Sequence, residues 1–466
     1  MLNEFLKLLD FTKDEIKRET PRCEKSFEVC GINDIDIERA IERLNTYFDM
    51  SSKGVRGLLA TMLLAFNGYV LAREEGAEKI IYGDWPLPVQ IMLAAKAAAP
   101  PNVFVGAPTQ VINVVLGQFF DKVTPLTEAG ERLGQAAGNA HCALYQTFVG
   151  ALELGIIPKP DLLLSEGFFC EPPGAVMELV HMLYGIPVVH LDGNVDSPWG
   201  HWPKPWQRQV RYLGDQIERM LTEIERSIGF KITEEARRKG NKMNTLLFYN
   251  HQRATHLVAQ ADPQPISHVG LALGGYLYNT PLPGDLQLRA NDAISALVDE
   301  VQEKVEKGVG VIEKRAPRVW FSIGVVTDPS IIHMVEKAGV NLANTFFQFW
   351  LPKWDYPTEY RGFGDKVAQS VQKAGPFCSV WGNLQIIKDY VEACKLDGMI
   401  YCHAYSCPGY TIPALMIKKE IEKEYGIPVM IIEGDIYDSR NYSAEQMRTR
   451  VETFAEMLRE MKRAAN

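Results

Sequence analysis

Several common signatures are missing from this chain of 466 residues. No long run of Lys or Arg occurs and the net charge is −9, whereas phosphate binding needs a basic surface, so no nucleic-acid partner is expected. Short basic patches such as Arg237-Arg238-Lys239 read as solvated helix faces. The apolar stretch from Ile91 to Pro101 is too short and too bounded by proline to span a bilayer, so no membrane partner is expected. The opening residues, MLNEFLKLLDFTKDEIKRE, mix acids and bases at helical spacing and lack the basic-then-apolar pattern of a signal peptide, which points to a cytoplasmic protein. GxGxxG and P-loop phosphate cradles are missing, and Gly274-Gly275 is only a turn signal, so this chain should not itself hydrolyse ATP. Cysteine is sparse, at eight residues with no C-x-x-C pair. That excludes a disulfide scaffold and the tight groupings of ferredoxins and zinc sites, leaving core packing, metal ligation or catalysis.

What is present is an ordinary globular composition, 46% hydrophobic and 23% charged, over a length that implies two or three domains. Residues 1–75 show helical spacing, as in Leu58-Met62-Leu63-Phe66. From 76 to 200 short strand candidates alternate with helices: Lys79 to Tyr82, Asn102 to Gly106, Leu162 to Leu164 and Pro187 to Leu191. A Trp- and Pro-rich turn, SPWGHWPKPWQR, leads into a middle domain of amphipathic helices over 201–315. A second α/β unit then runs over 316–466, opening on the strand RVWFSIGVV and including Leu342 to Phe349. The expected fold is therefore α/β, with two parallel-sheet domains of flavodoxin or Rossmann type, a helical domain, and a site in the cleft between the sheets.

The most informative stretch is the last seventy or so residues. Gly398 to Tyr405 and Ile427 to Glu433 read as strands joined by a helix, a βαβ unit whose strands are parallel neighbours. Ligands in such sheets sit beyond the carboxyl ends of the strands, where Cys407 and the Gly434-Asp435 corner emerge. Cys170 follows the run DLLLSEGFFC in a similar loop, and Cys142 lies just before a helix, where free N–H groups and the helix dipole favour a thiolate. Three cysteines at such corners are able to converge on one cleft and to ligate an iron-sulfur cluster with an open iron, although each taken singly also fits the role of a buried core residue. Near them, His141 and His403 are candidate proton donors and Glu166 and Glu171 candidate bases, against the alternative of hydrogen-bonded loop residues. Asp435, Asp438 and Arg440 look architectural.

These residues resemble the family of 2-hydroxyacyl-CoA dehydratases and benzoyl-CoA reductases. The match is carried by Cys407, GIPV (Gly426 to Val429), GDIYDSR (Gly434 to Arg440) and SAEQMRTR (Ser443 to Arg450), together with HCALYQT around Cys142, GFFCEPPGAVMELV around Cys170, and YGIPVVHLD after it. The resemblance implies one 4Fe-4S cluster per chain on Cys142, Cys170 and Cys407, with an open or non-cysteine fourth site. It also implies a paralogous second subunit in a heterodimer, an ATP-hydrolysing iron-sulfur activator that injects a low-potential electron, and an acyl-CoA substrate dehydrated through a ketyl radical or, in the reductases, reduced in its aromatic ring. One departure stands out. The loop after the first strand, where dehydratases of the family carry a small polar residue for the substrate hydroxyl, reads YGDWPLPVQ here, placing Asp84 beside Trp85, Pro86 and Pro88. The Trp-rich turn and Phe346-Phe347-Gln348-Phe349-Trp350 would suit a flat aromatic acyl group or a core. Other readings are a double-cubane reductase, which needs Cys378, Cys394 and Cys402 as further ligands, a non-catalytic electron-relay subunit, and a cluster-free α/β protein with buried cysteines.

Overall fold

The computed structural model describes residues 1–135, 142–193, 206–322, 327–345, 360–374, 380–435 and 437–465. Its frame is a pair of four-stranded sheets. The first contains β1 (Lys79–Tyr82), β2 (Val103–Gly106), β3 (Leu162–Glu166) and β4 (Val188–Leu191), in the order β2-β1-β3-β4 with every pairing parallel. The second contains β5 (Arg318–Phe321), β6 (Asn341–Thr345), β7 (Gly398–Ala404) and β8 (Val429–Gly434), in the equivalent order β6-β5-β7-β8, again parallel. Parallel strands need crossover connections that cover both faces, and their sequences are accordingly near-continuous apolar runs. All five residues of β3, LLLSE, are buried. In each sheet the strand order reverses beside the first strand, which opens a crevice at the carboxyl ends.

Helices Leu2–Leu8, Lys13–Val29, Asp34–Tyr47 and Lys53–Val70 open the chain. The last packs on helix Gly284–Lys307 through glycines: a Cβ on Gly54 would stand 2.5 Å from the backbone nitrogen of Leu297. Glu300, on the second of these helices, accepts from the Lys53 backbone N–H at 2.8 Å and so caps the first. Amphipathic helices Gln207–Ile228 and Glu234–Gln260 complete the middle of the chain. Among the described residues no helix is long and apolar enough to cross a membrane.

Two features fix the loops that matter. Helix Ala143–Glu153, which Cys142 precedes, lies against helix Thr124–Arg132 so closely that a Cβ on Gly150 would be 1.9 Å from the Leu126 carbonyl oxygen. A fully buried π-helix, Asn113–Phe119, joins the two α/β units: Arg43 donates to the Gln118 and Gly117 carbonyls at 3.1 and 3.3 Å, and Gly117 abuts Thr327 of the second unit.

Candidate functional site

Cys142 caps helix Ala143–Glu153, Cys170 lies in the β3 corner before helix Pro172–Tyr184, and Cys407 caps the short helix Pro408–Thr411 after β7. All three are free thiols, and each is half-buried as a residue. They converge: Cys142 and Cys170 both bear electrostatically on Cys407, and Cys170 bears on Cys142. Backbone N–H groups of Leu144 and Tyr145 point at Cys142, as a helix N-terminus should, yet loss of solvation outweighs them and pushes the thiol up to about 12. The thiolate expected there from the helix dipole alone is therefore not favoured in the protein by itself. Burial also holds Cys407 well above its ordinary value.

Asp84 emerges from β1 into the same region. Its two oxygens accept from the backbone N–H groups of Trp85 at 3.0 Å and Thr109 at 3.1 Å, and burial raises its pKa to about 8 against those two bonds. Glu166, at the end of β3, accepts from the N–H groups of Phe168 and Phe169 at 2.9 and 2.8 Å, with Cys170 a further backbone donor, and burial raises its pKa to about 7. Its other oxygen has no partner among the described residues. Tyr145 links the groups, for it donates to the Trp85 carbonyl at 2.7 Å and feels Asp84, Glu166, Cys142 and Cys170. The Trp85 and Phe169 rings meet edge to face at 5.5 Å between Asp84 and the Cys170 loop.

The loop after β8 ties the second sheet into this region. Asp435 accepts from the Ser406 N–H, next to Cys407, at 3.1 Å and from the Tyr437 N–H at 3.0 Å. Asp438 accepts from Arg440 at 2.9 and 2.7 Å, and Arg440 reaches Glu131 of the first unit at 2.6 Å. Both acids have the architectural role read from the sequence. Sequence reasoning passed over Tyr437 and Gln110, which meet across the two units at 3.1 Å. Their only prior signal is position, one inside the GDIYDSR motif and the other just after β2.

The remaining candidates scatter. His141 and Cys378 lie outside the described residues, as do most of the Trp-rich turn and Phe346 to Trp350. Cys402 is buried on β7, its N–H bonded to Ser322, and it feels Cys407. Cys394 ends helix Val380–Cys394, at the far end of β7 from Cys407, so a strand of seven residues, about 23 Å, separates them. A six-thiol group cannot form with it. Cys23 is buried against Asn67 in the opening helices. Among the described residues no three His, Cys, Asp or Glu side chains stand close enough to share a single metal ion.

The family model described as 2-hydroxyglutaryl-CoA dehydratase, D-component, matches residues 85–458. The (R)-phenyllactyl-CoA dehydratase alpha subunit of Clostridium sporogenes is 24% identical over 346 residues, covering 72% of this chain and 80% of that protein. The (R)-2-hydroxyglutaryl-CoA dehydratase subunit alpha of Acidaminococcus fermentans is 21% identical over 308 residues, 65% of this chain and 61% of that one. A benzoyl-CoA reductase subunit of Thauera aromatica is 26% identical over a shorter stretch of 83 residues, 18% of this chain and 19% of that one. With a family match across most of its length, the chain belongs to the 2-hydroxyglutaryl-CoA dehydratase D-component family, an enzyme family of acyl-CoA dehydratase and reductase subunits.

Proposed function

We propose that this chain is the iron-sulfur subunit of an oxygen-sensitive, cytoplasmic acyl-CoA enzyme of the 2-hydroxyacyl-CoA dehydratase type, holding one 4Fe-4S cluster on Cys142, Cys170 and Cys407 with a non-cysteine fourth ligand. The observation that carries the reading is that three free thiols, one at the start of helix Ala143–Glu153 and two in the loops after β3 and β7, come into mutual electrostatic range. The donor set fits the group. Three free thiols within mutual electrostatic range suit a cluster that offers each thiolate its own iron. When bound, such a cluster supplies low-potential electron transfer and an open iron that acts as a Lewis acid toward a thioester oxygen.

The protein's own groups do the rest. Asp84 keeps its proton up to about pH 8, because burial outweighs its two backbone bonds, and so holds an acidic proton at its carboxyl for a departing hydroxyl at neutral pH. His141, adjacent to Cys142, is a second proton donor. Glu166 is a positioning residue whose carboxylate gathers the N–H groups of the Cys170 loop. The alpha-subunit names of the relatives support a partner subunit, which in this reading is a paralogue of the chain. An ATP-hydrolysing activator is a separate protein, since no P-loop occurs in this chain. A second reading, reduction of an aromatic acyl-CoA, is favoured by the Trp85-Phe169 ring pair beside Asp84 and by the stretch similar to the benzoyl-CoA reductase of Thauera aromatica.

The test is iron and acid-labile sulfide per chain on anaerobically purified protein, with an electron paramagnetic resonance spectrum after dithionite reduction. About four irons are expected, and Cys407→Ala should lose them while keeping the helical circular dichroism. Unchanged iron in Cys407→Ala, or no iron after reconstitution, refutes the reading. Turnover of 2-hydroxyacyl-CoA against benzoyl-CoA, with partner and activator present, separates dehydration from ring reduction.

A further inference from the structure

Gln110 stands just after β2 in the first α/β unit, and Tyr437 stands in the loop after β8 in the second. Both side chains are buried, at 3% and 2% exposure, and the Gln110 carboxamide donates to the Tyr437 hydroxyl at 3.1 Å. The pair is held at both ends. Asp435 receives the Tyr437 N–H and the Ser406 N–H, tying Tyr437 to the Cys407 loop, while Thr109, beside Gln110, gives its N–H to Asp84. The Tyr437 phenol feels Cys142 and Asp84, so the pair lies within electrostatic range of one of the thiols and of the buried acid.

Among the described residues its bonding capacity is unfilled. The Gln110 carboxamide oxygen is buried and has no partner among the described residues, and the Tyr437 hydroxyl accepts a bond while donating to no described group. If the carboxamide is turned over, the tyrosine donates to its oxygen, which leaves an N–H donor and a phenolic acceptor. Either way one donor and one acceptor lie side by side, and that is the complement of a hydroxyl group, which accepts one hydrogen bond and donates another. Burying such a pair unfilled is costly, so it points to a ligand that fills it.

We propose that Gln110 and Tyr437 form the binding point for a hydroxyl on the acyl group of the substrate, and so select hydroxylated over unsubstituted acyl-CoA thioesters. The inference rests on the acyl-CoA reading above and names two residues that recognise the acyl group.

The experiment uses full-length, anaerobically purified protein without activator, so that no turnover occurs. Binding of lactoyl-CoA is compared with propanoyl-CoA, and of phenyllactyl-CoA with 3-phenylpropanoyl-CoA, for wild type, Tyr437→Phe and Gln110→Met, with iron content measured on every sample. Wild type should prefer the hydroxylated member of at least one pair. Each variant should lose about five- to tenfold in affinity for that member, with the unsubstituted thioester and the iron content unchanged. Equal weakening of both members, or no weakening of either, overturns the proposal while leaving the cluster reading intact. If wild type binds neither iron nor any of the four thioesters, the acyl-CoA reading itself fails and takes the proposal with it. Two variants at opposite ends of the bond guard against a folding defect in one of them.

Discussion

Replacing Asp84 with asparagine isolates what it costs to bury that carboxyl. Its folded-state pKa of about 8 lies far above the ordinary carboxylate range, and the cause is burial. A raised folded pKa means that the folded chain keeps a proton the unfolded chain has lost. The contribution is thus fully favourable below the unfolded value and is lost as pH rises through about 8. Between those limits stability falls by about 1.4 kcal/mol per pH unit from this group. From pH 5 to pH 7.5 the loss sums to about 3 kcal/mol, and the asparagine of the variant, which does not titrate, escapes it. The variant also has a fixed defect. An Asn side chain has one acceptor oxygen where Asp84 satisfies two N–H groups, of Trp85 and Thr109, so one bond of about 1 kcal/mol or more is forfeited at every pH. Asp84→Asn should therefore be as stable as wild type or less so at pH 5, and more stable by a few kcal/mol at pH 7.5. Urea unfolding of both proteins across that range, followed by circular dichroism, reads the crossover. Parallel curves, or a variant that falls further behind as pH rises, would refute the claim that Asp84 is carried neutral.

Two further perturbations test the frame around the site. Gly150→Ala would drive a Cβ to within 1.9 Å of the Leu126 carbonyl oxygen, backbone that cannot swing aside, so helix Ala143–Glu153 must shift and Cys142 with it. A loss of about 3 kcal/mol or more in thermal or urea unfolding is expected, along with reduced iron retention, and a wild-type unfolding midpoint would contradict the packing. Glu300→Ala removes the carboxylate that accepts from the Lys53 and Gly54 N–H groups, at 2.8 and 3.4 Å, and from the Ser52 hydroxyl. It should cost about 1–2 kcal/mol without changing iron content, whereas a loss of iron would mean that the opening helices reach the site.

The sheets were legible because buried parallel strands are written as continuous apolar runs, and each of the eight strands overlaps its run: Lys79 to Tyr82 matches β1, Gly398 to Tyr405 overruns β7 by a single residue, and the far ends of RVWFSIGVV and of Leu342 to Phe349 lie outside the described residues. The corner positions of Cys170 and Cys407 followed from strand order, whereas Cys142, expected at a similar corner, lies between the two helices Thr124–Arg132 and Ala143–Glu153. Nor did the state of Cys142 follow, since a sequence shows that a helix begins there but not how deep the sulfur lies, and depth governs its pKa. The Gln110-Tyr437 contact was invisible for another reason. It joins residues 327 positions apart, through side chains with no periodicity of their own, and depends on how the two sheets are docked. The π-helix Asn113–Phe119 was equally hidden, because its apolar run reads as ordinary helix.

The same short loop shows how the protein separates two uses of a carboxylate. Asp435 and Asp438 are three residues apart in GDIYDSR, and both are buried, yet only Asp438 has a cation, Arg440, bonded to both of its oxygens. Asp435 has backbone N–H partners instead, and burial raises its pKa. The groups it accompanies share that condition. Among the described residues no Lys or Arg is among the influences on Asp84, Glu166, Cys142 or Cys407, and in each burial is the largest. A cluster of acids without a buried cation either keeps its protons or takes positive charge from a bound group. Both outcomes serve the proposed chemistry, since neutral carboxyls are proton donors and the thiols, costly to ionise alone, ionise readily against iron. Had Arg440 faced inward, it would have lowered these pKa values and competed with metal for the thiolates. Its bond to Glu131 keeps it on the outer side, so the spacing of the motif places one acid, buried, against the Cys407 loop and turns the other, with its cation, to the seam between the two units.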